Sequence, residues 1–379
     1  MNDRLRVLLV TARPAVVLLF GLFAATGAAQ AGGAGRPGAV LGALVVVAGF
    51  LLFCVAVNDL SDEAIDRVNL PGDPGRPLVT GACWRRALAL AGLAAGTVSL
   101  AASTLLQGPA PLVVACGLAL GTAYSVRPVR LADRGLVAAL ALPAAYVAVP
   151  YLVGVFAVRA TLHRADLVLV GGLYIGFVGR ILLKDFRDVR GDALFGKRTF
   201  LVRHGRRRTC ALSGACWAGG SVMLLGVREL TAATVVSWVL LTAVAFALLR
   251  ALASDGGVRR DERLVSALAI VGRGTIVLVL VHLATSGGQG GAWAPVLTAA
   301  IGAVFAGQAW TMVVHGPDTR LVVPAGWDQG GDQSGMTRRR GGRGPRSSSS
   351  DAARTRISSI TAAAPSASPG DGAVSCQSR

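Results

Sequence analysis

LGALVVVAGFLLFCVAVNDLSDEAIDRVN, residues 41–69, joins an uninterrupted apolar run to the acidic series Asn58-Asp59-x-x-Asp62-x-x-x-Asp66. Acidic groups in or beside a bilayer are costly, so carboxylates at the end of an apolar segment mark a function. Asp59, Asp62 and Asp66 are spaced by three and four residues, so a helix continuing past the membrane surface presents all three on one face. The pattern recurs at Asp185-x-x-Asp188-x-x-x-Asp192, again after an apolar stretch. With Glu63 the first run carries four acidic groups and the second carries three aspartates, so the two could form facing carboxylate clusters that hold divalent cations.

The rest of the chain places these runs in a membrane. Over 379 residues the mean hydropathy is +0.58, hydrophobic residues make up 53% and charged residues only 15%, well below the usual share in a soluble globular protein. Apolar stretches long enough to span recur at about 12–30, 38–57, 85–106, 110–126, 135–157, 165–183, 209–227, 231–250, 263–284 and 293–314. An all-α, polytopic transmembrane helical bundle follows. Arg4 and Arg6 ahead of an apolar run invite a signal-peptide reading. The length of that run, its Arg13-Pro14 and the span that follows at once favour a retained first helix.

Charge asymmetry orients the bundle. A cytoplasmic N-terminus puts the loops near 58–84, 127–134, 184–208 and 251–262 inside, with most of the arginines, including Arg67, Arg76, Arg127, Arg130, Arg187 and Arg206–Arg208. The outer loops keep only Arg36, Arg159, Arg164 and Arg228. Both acidic runs then emerge on the cytoplasmic side. Ten spans leave the basic tail, with Arg338–Arg340, Arg343 and Arg346, in the cytoplasm, and nine place it outside; ten is favoured, or nine with a weakly inserted last segment.

The chain divides into a membrane domain over 1–317 and a Gly/Arg/Ser/Ala-rich tail over 326–379, which has no run able to build a core and reads as disordered. Topology and anionic lipid account for the net charge of +18 better than a specific nucleic-acid partner does. The six cysteines form no CxxC pair, and His163, His204, His282 and His315 are too dispersed for a zinc site.

Carboxylates at such positions suit magnesium, which keeps waters and bridges protein carboxylates to substrate phosphates. Loss of diphosphate from an allylic carbon is assisted by neutralising charge on the leaving oxygens. Candidate cationic clamps are Arg67, Arg76, Arg127, Arg130, Lys184 and Arg187, and Lys184 is one of only two lysines. Ordinary loop carboxylates paired with neighbouring arginines are the bland alternative for either run alone; two runs of matched spacing and flanks argue against it.

Through Asn58–Asn69, Arg76-Pro77-Leu78, Tyr124-Ser125-x-x-Pro128-x-Arg130-Leu131 and Lys184–Asp192, the chain resembles the UbiA superfamily of intramembrane prenyltransferases from about Arg13 to at least Leu249. The flank Ile65–Asn69 and the stretch Gly191–Lys197 look closest to the chlorophyll synthase, homogentisate prenyltransferase and archaeal geranylgeranylglyceryl phosphate prenyltransferase branches. The resemblance implies about nine core helices, possibly with a tenth, and a central cavity capped by the cytoplasmic loops. It implies magnesium–diphosphate motifs at Asn58, Asp59, Asp62 and Asp66 and at Asp185, Asp188 and Asp192, with Tyr124, Arg130 and Arg13 near the diphosphate.

The expected reaction is magnesium-dependent transfer of a polyprenyl group, geranylgeranyl or similar, to an aromatic or lipid acceptor. Two alternatives remain at this stage: a membrane terpene cyclase with the same ionisation chemistry, and a non-catalytic transporter. No residue in the sequence identifies the base that takes the acceptor's proton.

Overall fold

A computed structural model describes residues 13–33, 35–69, 76–186, 199–226 and 230–286, with isolated helical positions between 299 and 310. Nine helical segments fill these residues: α1 (Pro14–Gln30), α2 (Pro37–Asn69), α3 (Arg85–Ser103), α4 (Ala110–Ser125), α5 (Leu136–Phe156), α6 (Arg164–Ile181), α7 (Phe200–Leu225), α8 (Ala232–Ala253) and α9 (Val258–Ser286). Six of them, α2, α3, α5, α6, α8 and α9, are long and apolar enough to cross a membrane, and α1 and α4 are shorter apolar helices. The expected tenth span at 293–314, the tail at 326–379 and His315 lie outside the described residues apart from those isolated positions.

Helix pairing follows small residues. On α3, Gly92, Gly96, Ser99 and Ser103 are buried while Leu90, Leu93 and Val98 face outward. On α4, Gly117, Gly121 and Ser125 are buried while Leu112 is exposed. This inverts the soluble pattern, as a bilayer requires: lipid solvates the large apolar side chains, and close packing selects small ones inside. A Cβ at Gly27 would sit 2.0 Å from the Tyr151 carbonyl oxygen, and one at Gly154 would sit 1.9 Å from that of Ala24. Helices α1 and α5 therefore touch backbone to backbone.

The pairings run α1–α2, α2–α3 and α2–α4, then α4–α5, α5–α6, α6–α7, α7–α8 and α8–α9, and α9 returns to α1. Inside, α1 packs on α5 around Phe23, Val147, Tyr151 and Val155. At the end of α6 remote from the acidic run, Arg159 donates from Nη2 to both carboxylate oxygens of the fully buried Asp166, which also accepts from the His163 backbone N–H.

Two departures from regular helix matter for the site. Helix α2 does not end at the apolar limit near 57 but runs to Asn69, so the whole acidic series is helical. Helix α5 widens into a π turn at Ala144–Ala148, because Pro150 has no N–H to offer the Tyr146 carbonyl one turn back. The expected span at 209–227 is the distal part of a longer helix: α7 begins at Phe200 and breaks at Gly205, whose φ of 76° is open to glycine at no steric cost.

Candidate functional site

The first acidic run meets three arginines drawn from far along the chain. Asp59, almost fully buried, accepts through Oδ1 from Arg13 Nη2 at 2.6 Å and from Arg76 Nη1. Arg76 Nε reaches Asp66 Oδ2 at 3.3 Å. Arg130 Nη2 donates to Asp62 Oδ1 at 2.6 Å and its Nε to Asp133 Oδ2 at 2.7 Å. Asn58 Nδ2 donates to the other oxygen of Asp62 at 2.9 Å. The helical spacing has done what it predicts, since Asp59, Asp62 and Asp66 all turn toward this basic group.

Two of the three arginines sit on strained backbone. Arg13 has φ 48° and Arg130 φ 33°, and they are the non-glycine residues with positive φ among those described. Such conformations cluster where surrounding structure overrides local preference. Arg13 precedes Pro14, which opens α1, and Arg130 opens the 3-10 turn Leu131–Asp133. Burial opposes the charge on Arg130, but Asp62 and Asp133 hold its guanidinium above the ordinary range.

The three arginines, with Asn58, Asp62 and Asp133, line a cavity of about 370 Å³. Its polar side is formed by Arg13, Asn58, Asp62, Arg76, Arg130 and Lys184, and its apolar side by Phe20, Leu51, Val55, Leu142 and Ala145. Tyr146, placed by the π turn, lines the cavity and packs edge-on against Phe20 with ring centroids 4.6 Å apart. A polar mouth against an apolar body fits a molecule that carries a phosphate at one end and hydrocarbon at the other.

The second acidic run is described only at its start. Lys184 and Asp185 lie in the 3-10 turn Lys184–Phe186 at the end of α6, and Lys184 Nζ is 3.4 Å from the Tyr124 hydroxyl. Lys184, at the start of the second run, thus lines the same cavity as residues of the first. Phe186 is buried among Leu201, Cys210 and Trp217, with the Arg206 guanidinium 5.0 Å above its ring. Arg187, Asp188 and Asp192 lie outside the described residues.

Other expected clamps are placed elsewhere. Arg67 pairs with Glu63 at 2.9 Å on the exposed side of α2 and does not line the cavity. Arg127 is exposed beside Pro128. Asp133, Tyr146 and Phe20 were not singled out in the sequence, although the i,i+3 spacing of Arg130 and Asp133 is a legible ion-pair signal.

Asp59 Oδ2 is buried and has no hydrogen-bond partner among the described residues. A carboxylate oxygen without a protein partner is the kind of hard donor that magnesium takes. Among the described residues no group of three or more His, Cys, Asp or Glu is close enough to enclose a metal by itself. The residues present fit the group through Asp59 Oδ2.

A polytopic helical membrane protein with a carboxylate-and-arginine cavity is the class these features define. The family model described as UbiA prenyltransferase family matches residues 17–270. The chain is 32% identical over 233 residues to the digeranylgeranylglyceryl phosphate synthase of Halobacterium salinarum, covering 59% of this chain and 79% of that protein. It is 27% identical over 151 residues to the bacteriochlorophyll synthase 34 kDa chain of Chloroflexus aurantiacus, covering 40% of this chain and about half, 47%, of that one. Its fold matches a UbiA homologue from Archaeoglobus fulgidus solved with DMAPP and Mg2+, with a TM-score of 0.54 at 19% identity, over 73% of this chain and 99% of the other. The chain belongs to the UbiA prenyltransferase family, and its enzyme class is prenyl transfer.

Proposed function

We propose that the protein transfers a polyprenyl group from an allylic diphosphate, geranylgeranyl or similar in length, to an aromatic or lipid acceptor and releases diphosphate. The observation that supports this most is the Asp59 site: a buried carboxylate with one oxygen bound by Arg13 and Arg76, which line the polar side of a cavity with an apolar body, and the other without a hydrogen-bond partner among the described residues. The similarity to a digeranylgeranylglyceryl phosphate synthase and to a bacteriochlorophyll synthase chain favours the same reading.

Magnesium, when bound, neutralises charge on the departing diphosphate. Asn58, Asp59, Asp62 and Asp66, with Asp185, Asp188 and Asp192 from the second run, would hold it. Arg13 and Arg76 orient Asp59, and both would share their donors with phosphate oxygens when substrate enters. Lys184 and Arg130 add positive charge at the same mouth, where they stabilise charge that grows as the C–O bond breaks. Tyr124 orients Lys184. Phe20 and Tyr146 offer aromatic rings beside the carbon that becomes cationic. Closure of the cytoplasmic loops over the cavity would exclude water from that cation.

Lipid-reconstituted protein with magnesium and geranylgeranyl diphosphate is the test, compared with its Asp59→Asn and Asp185→Asn variants. Diphosphate release and products are followed by mass spectrometry. Turnover is expected only after a phenolic or lipid acceptor is added, and only with the wild type. A cyclised hydrocarbon or alcohol formed without acceptor would replace this reading with a terpene cyclase.

A further inference from the structure

The carboxylates of the first run, Asp59, Asp62 and Asp66, are each held by an arginine, so none of them is an obvious base for the acceptor's proton. One carboxylate at the cavity belongs to neither run. Among the described residues, Asp62 and Asp133 are the acidic side chains that line the cavity. Asp59 and Asp66 are buried beneath Arg76.

Arg130 joins these two cavity carboxylates. Its Nη2 holds Asp62 and its Nε holds Oδ2 of Asp133, so Asp133 lies within one guanidinium of the diphosphate-binding run. The Asp133 side chain is 45% exposed, and Arg130 is the one partner that its oxygens have among the described residues, through Oδ2. Oδ1 is therefore available at the cavity while the arginine fixes the group in place. The 3-10 turn Leu131–Asp133 makes this a local feature, set by the left-handed backbone of Arg130.

We propose that Asp133 is the proton acceptor of the transfer reaction for an acceptor that attacks through a hydroxyl oxygen. The inference rests on the transfer reading above. The allylic C–O bond to diphosphate breaks with its electron pair leaving on the diphosphate oxygen. A lone pair of the acceptor oxygen forms the new C–O bond, and the resulting oxonium proton passes to Asp133 Oδ1, from which water at the cavity mouth removes it. An alkylated oxonium is a far stronger acid than a carboxylic acid, so a carboxylate within reach takes its proton. Geometry, and not basicity, is the requirement.

The experiment uses full-length protein in lipid with geranylgeranyl diphosphate, magnesium and geranylgeranylglyceryl phosphate as the hydroxyl acceptor. In Asp133→Asn, kcat for transfer is expected to fall about 100-fold, the lower range for loss of a general base. The KM for geranylgeranyl diphosphate stays within about threefold, as for a group that acts in the transition state and not in binding. Inorganic pyrophosphate with magnesium raises the melting temperature of the variant as it does that of the wild type, and Asp133→Glu recovers part of the lost kcat. A rise in KM with loss of the pyrophosphate effect would reduce Asp133 to a support for Arg130 and overturn the proposal. Undiminished kcat would overturn it too, leaving the departing diphosphate to take the proton. A wild type that forms cyclic product without acceptor would instead defeat the transfer reading beneath it.

Discussion

Asp59 concentrates the chemistry of the site in one side chain. Two guanidiniums share its Oδ1, and among the described residues none bonds its Oδ2. Replacing it with asparagine removes a buried charge between two arginines and an oxygen suited to magnesium. The expected result is at least roughly a 100-fold loss of diphosphate release, the scale seen when one charge-stabilising group is removed from a reacting centre. A metal titration of residual activity should also show a raised magnesium requirement. Arg76 is expected to act through Asp59 and Asp66, so Arg76→Gln should weaken apparent magnesium affinity about 10- to 100-fold, as loss of a partner that orients a metal ligand does. Arg67→Gln is the contrast: its exposed i,i+4 pair with Glu63 contributes little, and activity should change by less than about twofold. Spacing made Asp59, Asp62 and Asp66 legible as a set. It could not rank Arg67 against Arg76, because both are arginines near the run and only the path of the chain after α2 decides which one turns inward.

Each element carries one decision of its own. Helix α1 reaches α5 through Gly27 and Gly154, where an added Cβ would fall about 2 Å from a carbonyl oxygen. Gly154→Ala should therefore destabilise the bundle by about 1–3 kcal/mol, the cost of overpacking a tight contact, and lower the melting temperature in detergent. It should also reduce activity, since α1 carries Arg13. At the end of α8, Arg206 accounts for several backbone and side-chain acceptors at once: Asp261 through both carboxylate oxygens, and the carbonyls of Leu252 and Ser254. Bonds of this charged kind contribute about 1.5–3 kcal/mol each at most, and Arg206 is partly exposed, so Arg206→Gln should cost about that much in total, measured by thermal unfolding. Hydropathy located the helices but not these contacts. The extension of α2 to Asn69 and the π turn of α5 lie where polar side chains and prolines interrupt the apolar count, yet tertiary packing keeps the chain helical.

For the whole molecule, exposed Leu90, Leu93, Leu112, Val236 and Leu240 would be a liability in water and are ordinary in lipid. The described site lies wholly within the first of two units, Met1–Trp327, and the second is Asp328–Arg379. Removing 328–379 should leave magnesium-dependent turnover within about twofold, measured on protein reconstituted in anionic lipid, because no residue assigned to the site lies there.

The sequence by itself determined the solvent and the chemistry. Long apolar runs need a bilayer whatever their packing, and carboxylates at three- and four-residue spacing share a helix face by geometry alone. Tertiary structure alone decided which cations meet those carboxylates. Arg13, Arg76 and Arg130 lie 46, 17 and 68 residues from their aspartates, and no local rule connects such distant positions. It also set Asp133 beside the cavity and Tyr146 against Phe20, since both depend on backbone irregularities that only neighbouring helices hold in place.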